Sequence, residues 1–86
     1  MTKWDANDLV LLYPGPTRRI DMRFVVGWAR DLMADAAIDA EHERLGRMLT
    51  DEEVRAVSEA VPAPSLDAAI ALLEDEGKAT FRRRTR

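Results

Sequence analysis

Residues 20–45 constrain this chain most, because they lie within its longest stretch free of proline and carry apolar side chains at two competing periods. Phe24, Trp28 and Leu32 recur every four residues. Val25, Ala29, Met33, Ala36, Ala37 and Ala40 widen that stripe into a broad face, while Arg23, Arg30 and Glu41 fall opposite. Ile20, Met22, Phe24, Val26 and Trp28 also alternate, as a strand would. Length and the alanine-rich second half decide for helix, since a strand of that length is unusual and alanine is the best helix former. An apolar face so broad needs cover. The expectation is a long central helix with Phe24 and Trp28 in the core and shorter helices packed upon it.

The flanking segments read as those shorter helices. Trp4-Asp5-Ala6-Asn7-Asp8-Leu9 has the layout of a helix start, with Asp5 as cap and Trp4 and Leu9 in staple positions. Leu9 to Tyr13 would continue as helical turns, although the same five residues also suit a short buried strand. Pro14-Gly15-Pro16 ends whatever precedes it, and Thr17 is available to cap the long helix. Gly46 fits the residue after that helix, with Arg44 and Arg47 beside its negative end. Thr50-Asp51-Glu52-Glu53 is a capping box between Leu49 and Val54, and Val54, Val57 and Val61 share one face of the helix it starts. Pro62-Ala63-Pro64 stops that helix. Ser65 caps another, with Leu66, Ala69, Ile70 and Leu73 as its buried stripe and Gly77 as its stop. Residues 79–84 suit a short strand or an extended tail. The expected architecture is therefore all-α: three to four helices in one domain over residues 1–77, then a basic C-terminal tail over 78–86.

Charge divides the chain in the same place. The net charge is −3, yet Lys78, Arg82, Arg83, Arg84 and Arg86 give residues 78–86 a charge of +5 with no acid, which leaves −8 on the remainder. Arginine outnumbers lysine eleven to two, a bias that GC-rich coding produces. Cysteine is absent, which excludes disulfides and thiol chemistry. One histidine, two serines and no glycine-rich phosphate loop make a poor inventory for catalysis, so no enzyme activity and no cofactor are expected. Thirteen alanines inflate the 47% hydrophobic fraction, and five aromatic residues supply little large buried area in 86 residues. A lone copy would be marginal, so self-association or a protein partner is expected. The first residues lack a signal layout and no apolar run approaches membrane-spanning length, so the expectation is a cytoplasmic protein with no membrane contact.

Two sets of residues stand out as interaction sites. Asp31, Asp35 and Asp39, followed by His42 or Glu43, recur along one side of the long helix. Asp39 and His42 have a spacing used by metal-binding bundles, but no second helix offers matching ligands, so no metal is expected and the stripe reads as a solvated face able to receive positive charge. The segment Lys78, Phe81, Arg82, Arg83, Arg84, Arg86 suits a polyanion, a solubilising end, or docking on an acidic face of its own or a neighbouring copy. Helix, turn, helix and strand over residues 50–84 resemble a winged helix-turn-helix in outline. The would-be recognition helix carries Asp67, Glu74, Asp75 and Glu76 and nothing that reads base edges. The expected function is non-catalytic protein–protein interaction or assembly in an oligomer. The alternative is a nucleic-acid-associated regulator that grips phosphate with its tail.

Overall fold

The structure, a computed structural model, describes residues 4–83. Its elements run β1 (Val10–Tyr13), β2 (Arg18–Arg19), α1 (Met22–Leu45), α2 (Asp51–Ala60), α3 (Leu66–Asp75) and β3 (Thr80–Phe81). The expectation of an all-α bundle is overturned: three helices accompany a three-stranded antiparallel sheet in the order β2-β1-β3. The central strand is the apolar run that also suited a helix. Asp5 accepts from the backbone N–H of Asn7 through its side chain at 2.9 Å and from Asp8 through its carbonyl at 3.0 Å, which closes a turn in place of a helix. Leu11 then faces Arg18 on one side and Phe81 on the other, and Arg82 N–H donates to the Val10 carbonyl at 2.9 Å.

The same backbone pairing delays α1. Arg18 and Arg19 lie in the sheet and Ile20 N–H donates to the Leu9 carbonyl at 2.9 Å, so Thr17 is not the cap; Asp21 is, accepting from Arg23 N–H at 2.8 Å. The tight link between β1 and β2 contains cis bonds at Tyr13–Pro14 and Gly15–Pro16. The other helix limits follow the signals in the sequence. Gly46, at φ 69°, closes α1 with its N–H on the His42 carbonyl. Thr50 and Glu53 form the reciprocal capping box of α2, and Ser65 caps α3. Past α3, Gly77 N–H reaches Glu74 and Lys78 N–H reaches Leu73, the paired bonds that satisfy the last carbonyls once glycine turns the backbone left-handed at φ 69°.

Burial concentrates at one end. Trp4, Leu9, Leu11, Val25, Ala29, Ala69, Ile70, Leu73, Ala79 and Phe81 form one core, built from the sheet, the first half of α1 and α3. Trp4 meets Phe81 edge-on, with ring centroids 6.2 Å apart. The second half of α1 and α2 project from this head as a helical hairpin. The molecule measures 50 × 23 × 17 Å, with a radius of gyration of 15.1 Å, against about 12 Å for a compact domain of this length. In that arm α2 has no buried residue. Arg30, expected on the outer face, instead ties the arm to the head: its guanidinium donates to the carbonyls of Ser58 at 2.8 Å and Val61 at 2.9 Å at the end of α2, where the Ser58 carbonyl also accepts the Val61 N–H at 3.2 Å.

Candidate functional site

The face of α1 that meets the core is one step around the helix from the one the aromatic spacing favoured. Val25 and Ala29 are fully buried, whereas Phe24 is 56% exposed and Trp28 is half-buried. Phe24 and Trp28 pack on each other at 6.0 Å between centroids and form one wall of a groove of about 550 Å³. Leu11, Pro14, Arg18, Arg23, Gly27 and Asp31 complete it. Burial of an aromatic pair normally contributes strongly to a core; here that surface is left facing a groove between the head's sheet and its helix.

The charges around this groove are not equivalent. Arg23 is engaged by Asp21, whose carboxylate accepts from both the side chain at 3.2 Å and the backbone N–H at 2.8 Å. That hydrogen-bonding arginine holds the Asp21 carboxyl below the usual carboxylate range. The side chains of Arg18 and Asp31, by contrast, have no hydrogen-bond or ion-pair partner among the described residues. One unpaired cation and one unpaired anion thus stand on the same groove.

The acidic stripe does not act as one surface. Asp31 belongs to the aromatic groove, while Asp35 and Asp39 line a second cleft between α1 and α3 with Leu32, Leu72, Glu76 and Lys78. Lys78 therefore shares a cleft with the acids expected to receive the basic segment, although no ion pair forms between them. Among the described residues no group of three His, Cys, Asp or Glu side chains is placed to hold a metal ion.

The basic segment is divided too. Phe81, expected to be available for stacking, is 2% exposed and sits in the core beside Ala79. β3 pairs with β1, so the segment expected as a strand or an extended tail has a partner strand. Arg82 is exposed, 3.8 Å from Asp8, which also lies 3.6 Å from Arg19. Both contacts are solvated and loose, and pairs of that kind add little stability. Arg83 lies over the Trp4 ring at 5.7 Å. Arg84 and Arg86 fall outside the described residues. The sheet thus brings Arg82 from the C-terminal segment to the same carboxylate as Arg19, while Arg18 and Arg23 share the aromatic groove.

At the far end of the arm, Met48 is 78% exposed in the link between α1 and α2. Beside it Ile38, His42, Leu49 and Val54 line a shallow cleft of about 240 Å³. Arg47 grips Glu53 with two hydrogen bonds of 2.9 and 2.8 Å, and this pairing, with help from Thr50 N–H, brings the Glu53 carboxyl down to about 2. No helix of the described residues is long and apolar enough to cross a membrane. No protein family matches the chain, and comparison with curated proteins and with solved structures returns no match.

Proposed function

We propose that this chain is a non-catalytic protein-interaction module that works through its aromatic groove. The observation that carries this reading is Phe24: a 56%-exposed aromatic ring packed at a tilt against Trp28, beside an arginine whose side chain has no partner among the described residues. Aromatic residues and arginine are the side chains that most often dominate protein interfaces, because they bury much area with few rotatable bonds. The groove contains no histidine, serine or paired carboxylates that would support acid–base or nucleophilic work. The test is capture of proteins on the immobilised chain and on a Phe24→Asp variant, followed by titration of each Phe24-dependent partner, including the chain itself, with Trp28 emission as readout. Binding that survives Phe24→Asp for every partner counts against the groove.

A second reading has its own support. Arg18 on the groove and Arg19 and Arg82 beside Asp8 would favour phosphate, and exposed Tyr13 in β1 offers a stacking surface. Steep loss of binding to a single-stranded oligonucleotide between low and physiological salt, dependent on Arg18 and Arg82, would favour that reading.

A further inference from the structure

We infer that the occupant of the aromatic groove is a second copy of this chain, which inserts the link between its α1 and α2 with Met48 as the knob. This deepens the interaction reading above and rests on it. Four observations lead there.

The first is Gly27. A glycine within a helix is unfavourable relative to alanine, so its presence asks for a reason. Packing inside the chain gives none, because a Cβ built there meets nothing within 4 Å. The glycine opens onto the groove, where it allows close approach to the helix backbone between Phe24 and Asp31. The second is the knob. Met48 is more exposed than any other large hydrophobic residue of the described chain, and a thioether packs well against aromatic rings. It is followed within four residues by exposed Asp51 and Glu52, which have no partner among the described residues.

The third is charge. Residues 33–61, the arm, contain eight acids against three arginines, while at the sheet end Arg19 and Arg82 meet Asp8, Arg23 meets Asp21, and Arg18 is left on the groove with no side-chain partner among the described residues. One molecule thus carries both halves of a complementary pair, and Asp51 or Glu52 of the incoming copy would face the unpaired Arg18. The fourth is distance. Phe24 lies in the first turn of α1 and Met48 lies beyond its end, so about 30 Å of helix separates them. Knob and groove cannot meet within one chain.

Docking one end onto the other end of a neighbour is a heterologous contact, which leaves a free knob and a free groove and so continues into a series or closes as a ring. An antiparallel twofold pair along α1 would instead gather Asp35 and Asp39 of both copies near its axis, where like charges oppose one another. A single loop in a groove buries well under the area of a stable interface, so the association is weak and needs high protein concentration.

Sedimentation velocity over a wide concentration range tests this, with the full chain as wild type, as Gly27→Leu to fill the groove, and as Met48→Ser to remove the knob. Leucine is the better helix former and enters open space, so Gly27→Leu keeps its helical circular dichroism and does not melt earlier. Wild type gains mass with concentration beyond two chains, and added salt reverses the gain. Each variant alone associates at least about tenfold more weakly, a difference well within the range one anchor contributes. An equimolar mixture of the two stops at two chains, because the one intact groove meets the one intact knob and nothing remains to extend it. Wild type that stays monomeric at millimolar concentration overturns the inference, as does growth that stops at two chains or a mixture that fails to pair. If wild type is monomeric while another protein still binds in a Phe24-dependent way, self-docking falls and the interaction reading stands. If no Phe24-dependent partner is found either, both fall.

Discussion

The head and the arm are made of similar helices held in opposite ways. In the head, α3 buries Ala69, Ile70 and Leu73 against Leu11, Val25 and Phe81, and all of these are at most 2% exposed. In the arm, α2 buries nothing completely, although its limits are the better defined: a full capping box begins it and Arg30 closes its last carbonyls. Local signals thus determine where a helix starts and stops, while burial determines how firmly it is held. A well-capped helix with a half-exposed apolar face is suited to adjusting to a partner; a helix enclosed on the sheet is not.

The strongest way to break this contrast is Phe81→Ala. Removing a ring enclosed by Trp4 and the sheet should cost about 3–5 kcal/mol, enough to unfold much of a small domain at ambient temperature. A urea melt that barely moves would show that β3 is an appendage and not part of the head. Trp28→Ala should cost less, about 1–2 kcal/mol, because the ring is only half-buried and its neighbour Phe24 is exposed. A loss as large as that of Phe81 would place the groove inside the core.

Thr50→Ala sharpens the comparison. It should cost about 1 kcal/mol by freeing the Glu53 N–H. Hydrogen exchange should then speed up along α2 while the amides of α3 and β1 keep their protection. Equal acceleration everywhere would mean that head and arm open as one unit. The smallest effect is expected from acid. The Glu53 carboxyl titrates near 2 when folded and near 4.3 when unfolded. A lowered folded value favours the folded state above the unfolded pKa, and that support is lost as pH falls from about 4.3 through 2. The α2 amides should therefore fray in that window. Glu53→Gln should remove the acid dependence while leaving the head's spectrum unchanged.

The elements with local signatures are legible in the sequence. Thr50, Ser65, Gly46 and Gly77 each act through bonds spanning a few residues, and each stands where its chemistry placed it. The sheet escaped because two of its strands are two residues long and their pairing joins positions far apart in the chain. Leu9 to Tyr13 carried the right composition for a central strand, but Arg18 and Arg19 give no strand pattern, and Phe81 reads as part of a basic tail. The groove escaped for another reason. Phe24, Trp28 and Leu32 make a convincing helical stripe, but the tertiary placement of α1 buries Val25 and Ala29 and leaves Trp28 and Leu32 at the edge of the core. Gly27, between Phe24 and Trp28, is the local feature that leaves the helix open on the Phe24 side.

The pairing of β1 with β3 sets an order in time. As the chain leaves the ribosome, α1 and α2 can form their hairpin from neighbouring residues, but Leu11 must wait until residue 81 has been made before its second neighbour exists. Contacts that close so long a loop form slowly relative to those within a hairpin. The region held least firmly in the finished molecule is thus the first able to assemble, and the region held most firmly is the last. Until then Leu11, Val25 and Ile70 lack their lid, so the interval before Phe81 arrives is when a chaperone would have most apolar surface to hold.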